Sequence, residues 1–75
     1  MEVLINRPNN ERDIMRDFAD ELSRQHKTLG KERLLNQMDI ICLEFAQEHG
    51  YLFAKDGERI VFTHNSLDEK DFLNN

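Results

Sequence analysis

From Tyr51 to Thr63 the chain reads YLFAKDGERIVFT, two runs of alternating strand-forming residues hinged on Asp56-Gly57, and this pattern predicts a β-hairpin. Asp-Gly is favoured at the centre of a two-residue type I′ turn, which sets Lys55 opposite Glu58, Phe53 opposite Ile60, Tyr51 opposite Phe62 and Leu52 opposite Val61. One side of the hairpin is then aromatic and apolar. The other is mixed, with Leu52, Ala54, Arg59, Val61 and Thr63. Two strands alone bury too little apolar surface to offset the entropy of ordering them, so the aromatic side requires a cover.

Upstream the apolar period lengthens to three and four. Ile14, Met15, Phe18, Ala19 and Leu22 form one stripe between Glu11 and about Lys27, with Arg12, Arg16, Asp17, Asp20, Glu21 and Arg24 opposite, as in an amphipathic helix. Asn10 stands at the cap position, and Glu11 and Asp13 place carboxylates where the helix dipole favours them. Thr28-Leu29-Gly30 interrupts, and a second helix is predicted from about Lys31 to His49, stopped by Gly50. Its stripe is Leu34, Leu35, Met38, Ile41, Cys42, Phe45 and Ala46. Ile40 and Leu43 fall ~140 to 200° from Met38, on the far side, so this helix is either sandwiched within the domain or exposed at an interface.

Two weaker signals flank these elements. Val3-Leu4-Ile5, closed by Arg7-Pro8-Asn9-Asn10, predicts an N-terminal strand. Ser66-Leu67-Asp68-Glu69 has capping-box spacing and predicts a short helix to about Leu73. The expected fold is α+β: two amphipathic helices packed on a C-terminal hairpin, with Val3 to Ile5 extending the sheet to three strands in the order β-α-α-β-β. Phe18, Phe45, Tyr51, Phe53 and Phe62 supply one core, in a single domain with soft ends at about 1–2 and 66–75. That element order resembles the order in type I KH domains, which bind single-stranded nucleic acid through a GXXG loop between their first two helices. The corresponding stretch here, HKTLGKER, has one glycine, Gly30, so the resemblance lies in element order.

Composition narrows the function classes. The 75 residues carry 33% charged and 39% hydrophobic side chains, which places the chain on the globular side of the disorder boundary. A net charge of −5 argues against contact with nucleic acid over most of the surface. Lone Cys42 permits no internal disulfide, no Cys and His spacing fits a zinc site, and a reducing, cytoplasmic setting is expected. No segment approaches a membrane span, and MEVLINRPNN has no basic head or long apolar run of an export signal.

Catalytic chemistry is not expected. Cys42 and His49 share a helix side but stand ~10 Å apart along its axis, too far to form a thiol-imidazole pair. His26 and His64 fall at element ends; Asp17, Asp20 and Glu21 read as a solvated helix face, and Asp68, Glu69 and Asp71 with Phe72 and Leu73 as a soft terminus. No cofactor, metal or small-molecule substrate is expected. The reading that remains is a small acidic non-enzymatic interaction protein, a regulator or inhibitor that binds a larger protein or forms a homodimer through Ile40, Leu43, Leu52 and Val61. The alternative is a single-stranded nucleic-acid-binding module that uses the basic loop residues Arg24, Lys27, Lys31 and Arg33.

Overall fold

The computed structural model describes residues 2–67, and the predicted helix beyond Ser66-Leu67 lies outside them. In chain order the elements are β1 (Glu2–Asn6), α1 (Met15–Leu29), α2 (Lys31–Asn36), α3 (Met38–His49), β2 (Tyr51–Asp56) and β3 (Arg59–His64). The fold is α+β. Its mixed sheet runs β1-β3-β2, with β3 central, β2 antiparallel to it and β1 parallel to it. The N-terminal strand therefore forms, and the helices cover one face of the sheet.

That covered face holds the core. Phe18 of α1 packs its ring against Phe45 of α3 at 5.2 Å and edge-on against Phe62 of β3 at 5.0 Å, and Phe45 meets Phe62 at 5.6 Å. Ile14, Cys42, Ala46, Tyr51 and Ile60 close around the three rings, with Val3, Ile5, Leu22, Met38 and Phe53 at the margin. Tilted and edge-on aromatic contacts place positive ring edges over negative faces, adding to the burial of the rings.

The hairpin register differs from expectation by two residues. Asp56 pairs with Arg59, Lys55 with Ile60, Ala54 with Val61, Phe53 with Phe62, Leu52 with Thr63 and Tyr51 with His64. The turn is thus centred on Gly57-Glu58 rather than Asp56-Gly57. A type I′ turn demands positive φ at both central residues, but here Gly57 has φ +62° and Glu58, like every other non-glycine residue described, does not have positive φ. Positive φ at the first central residue alone is the requirement of type II′, which places glycine there. Because side chains alternate with period two, a two-residue shift leaves every residue on its expected face.

The helices also depart from the simple pattern. α1 starts at Met15 rather than Glu11: a turn closes with the Glu11 N–H bonded to the Pro8 carbonyl at 3.0 Å, and Asp13, not Asn10, accepts the Met15 N–H at 2.9 Å. The predicted second helix is divided at Gln37, whose φ of −105° and ψ of 9° lie between helical and bridge geometry. Its N–H still reaches the carbonyls of Arg33 and Leu34, so the backbone bends with its bonds kept. The bend leaves Leu34 buried and turns Leu35, expected in the core, out to 59% exposure.

Truncation of Phe62 to Ala should cost about 3 to 5 kcal/mol, since it removes the fully buried ring shared by the other two. Leu52→Ala on the uncovered face should stay within about 0.5 kcal/mol. Equal losses in chemical denaturation would show that both sheet faces are covered. Gly57→Ala should cost about 1 to 2 kcal/mol through backbone strain alone, because a Cβ there meets nothing within 4 Å.

Candidate functional site

Cys42 is fully buried, and desolvation with the nearby Asp39 charge pushes its thiol up to about 11. It is a core side chain with no thiolate at neutral pH. His49, seven residues on, donates from Nδ1 to the Phe45 carbonyl of its own helix at 2.9 Å, with its ring stacked on Phe45 at 4.1 Å. The two groups are not brought together.

One constellation was not foreseen. His64 Nδ1 lies 2.7 Å from Ser66 Oγ, and its Nε2 lies 3.7 Å from Glu11 Oε2, an order of groups reminiscent of a nucleophile, base and acid. The same Nδ1 also accepts the Ser66 backbone N–H at 3.1 Å, so its lone pair is already engaged in a local turn two residues long. A base needs that lone pair free for the serine proton. The contact is a turn closure. Tyr51, edge-on to His64 at 5.0 Å, buries its hydroxyl without a partner among the described residues; desolvation and the Glu11 charge raise its pKa.

Asp17 and Glu21, on the acidic face of α1, are engaged within the chain. Asp17 pairs with Arg12, and Glu21 pairs with Arg24 and accepts from the Gln25 amide at 3.0 Å. The Gln25 bond, aided by Arg24, holds Glu21 below the usual carboxylate range. Among the described residues no group of three or more His, Cys, Asp and Glu side chains is placed to hold a metal ion, and no helix is long and apolar enough to cross a membrane.

The four cations proposed for nucleic acid straddle one residue. Arg24 and Lys27 end α1, Lys31 and Arg33 begin α2, and between the helices stands only Gly30, at φ +80°. A four-residue GXXG loop has no room there. All four side chains are exposed, with Glu21 and Glu32 among them.

The apolar candidates divide between two surfaces. Ile40 at 58% and Leu43 at 47% exposure stand on α3, in the helical layer. Leu52, at 64%, and half-buried Val61 stand on the opposite face of the sheet, where Leu4, Val61 and Ala54 form one row across the three strands. The sequence pattern could not show that a whole sheet separates the two pairs.

At ~100° per residue, the buried line Ile41, Cys42, Phe45 and Ala46 leaves Ile40 and Gln47 on the crest of α3, Glu44 and Glu48 on one flank, and Asp39 and Leu43 on the other. Glu44 and Glu48 line a small cavity with Glu21 and Gln25 of α1, so their flank faces α1. The Asp39 flank therefore overhangs β2, and the Asp39 carboxylate lies 3.4 Å from Lys55 Nζ of that strand. Leu43, one turn further on, lies level with Phe53, because four helical residues and two strand residues both advance ~6 Å. Comparison with protein-family models, curated proteins and solved structures gives no match.

The raised Cys42 pKa carries a pH signature. Below pH 9.0, the thiol's ordinary value, it is protonated in both states and has no effect; from there to about 11 the unfolded chain releases the proton that the folded protein keeps, so stability falls as pH rises. Tyr51 adds in the same direction. Denaturation curves across this range should show the decline, and its Cys42 share should vanish in Cys42→Ala. A curve with no decline would mean that the thiol reaches solvent.

Proposed function

We propose that this protein is a non-enzymatic interaction module, acting as a regulator or inhibitor does, by binding another protein chain through the apolar surface around the free edge of β2. The observation that supports this is the exposure of Leu43 on the α3 flank that overhangs that edge, of Ile40 on the crest beside it and of Leu52 on the opposite face of β2. Single exposed leucines are ordinary, but large apolar side chains on both sides of one edge strand form a surface that association with another chain would remove from water. β2 is also an edge whose outward N–H and C=O groups have no strand partner in the sheet.

The chemistry found elsewhere is already engaged: Cys42 is buried, His64 closes a turn, and Asp17 and Glu21 of α1 are paired. Binding is the activity left for the exposed apolar groups to perform.

The double substitution Ile40→Asp with Leu43→Asp tests the reading. The variant should keep its circular dichroism, because neither side chain belongs to the core, and should lose on the order of 2 kcal/mol or more of association free energy. Association is read as sedimentation mass and as retention of co-purifying protein on the tagged chain. A variant that unfolds would show that α3 is covered within the chain, and one that binds as before would remove this surface from the function.

A further inference from the structure

The geometry points to a second copy of this chain as the partner, joined antiparallel along β2 so that two three-stranded sheets become one of six strands. This rests on the reading of the β2 edge as an interaction surface and names its occupant. The argument starts from the ladder. In an antiparallel hairpin closed at Asp56 and Arg59, hydrogen-bonded pairs alternate along the strands, so Asp56, Ala54 and Leu52 bond to β3 while Lys55, Phe53 and Tyr51 direct N–H and C=O away from it. Tyr51 is 4% exposed, which closes its backbone to a partner. Phe53 and Lys55 are left as the accessible positions.

Two outward-facing residues, two apart, are self-complementary under a two-fold axis. Phe53 of one copy exchanges both hydrogen bonds with Lys55 of the second copy, Lys55 with its Phe53, and Ala54 sits on the axis facing itself. Ala54 carries the smallest side chain in β2, at the position where the two backbones come closest. Above the joined strands, Leu43 lies level with Phe53 on each copy and reaches across the seam. Below, Leu52 lies diagonal to Ala54 of the second copy.

Electrostatics allow this meeting at this edge. Two chains of net charge −5 repel over most of their surfaces, but β2 carries one cation and one carboxylate, Lys55 and Asp56. Inward-pointing lysine is a common guard against edge pairing; here Asp39 at 3.4 Å neutralises it within its own chain. At the opposite edge, the first residue of β1, Glu2, pairs with Arg59 across the outer face.

Three variants test the pairing in the full chain. Wild-type sedimentation mass should rise with concentration from the 8.9 kDa monomer toward twice that value. Lys55→Pro should hold the protein at monomer mass with unchanged circular dichroism, since the N–H it removes makes no bond within the sheet. Ala54→Cys should form a covalent dimer under mild oxidation, because a non-hydrogen-bonded pair on the axis has Cα atoms about 4.5 Å apart, within disulfide range, while buried Cys42 cannot substitute for it. Leu4→Cys on β1 should not cross-link. A chain that stays monomeric at every concentration overturns the pairing, as does a dimer that survives Lys55→Pro or cross-links through Leu4→Cys instead of Ala54→Cys. If the chain is monomeric yet Ile40→Asp with Leu43→Asp still abolishes retention of another protein, self-pairing fails while the interaction surface stands.

Discussion

Three phenylalanine rings hold this domain together. Phe18, Phe45 and Phe62 come from α1, α3 and β3, and each touches the other two, so the cluster joins both long helices to the central strand. In 75 residues there is little apolar surface to spare, and a net stability of a few kcal/mol leaves such a chain dependent on its best-packed contacts. Ile14, Cys42, Ala46, Tyr51 and Ile60 complete the wall around this cluster.

Concentrating the core on one face of the sheet has a structural cost on the other. Leu4, Leu52, Val61 and Ala54 remain on the open face, and the crest of α3 shows Ile40 and Leu43 because the sheet occupies only its other side. The polar devices that usually protect such surfaces are local. Asn6 bonds Thr63 at 3.3 Å and Glu2 pairs with Arg59 at 3.6 Å, at either end of the apolar row. Leu4 and Leu52 stay exposed among the described residues.

How much of this was legible in the sequence depends on the range of the forces involved. Face assignments in the hairpin and α3 follow from period two and period 3.6, and they hold residue by residue, including the exposure of Ile40 and Leu43. The turn centre at Gly57 was missed because Asp-Gly suits a type I′ turn, whereas tertiary packing of Phe53 on Phe62 favours the register that brings those rings within 6.0 Å. The bend at Gln37 had no local signal, since neither Gly nor Pro stands there. Nor could periodicity show which apolar residues share a surface: placing Ile40 and Leu52 on opposite sides of a sheet requires the topology, and the Ser66, His64 and Glu11 contacts require the return of the chain past its own start.

The parallel pairing of β1 with β3 also bears on how the chain reaches this state. Asn6 and Thr63, side by side in the sheet, are 57 residues apart in sequence, with all three helices and β2 made between them. Closing so long a loop costs entropy before any strand bond repays it, so local structure, the helices and the hairpin, has the kinetic advantage. During synthesis β1 leaves the ribosome before the three helices, β2 and its neighbour β3. Val3, Leu4 and Ile5 therefore stay an unpaired strand-forming segment until Ile60, Val61 and Phe62 have been made, and the β1–β3 ladder can close only after the elements between them exist.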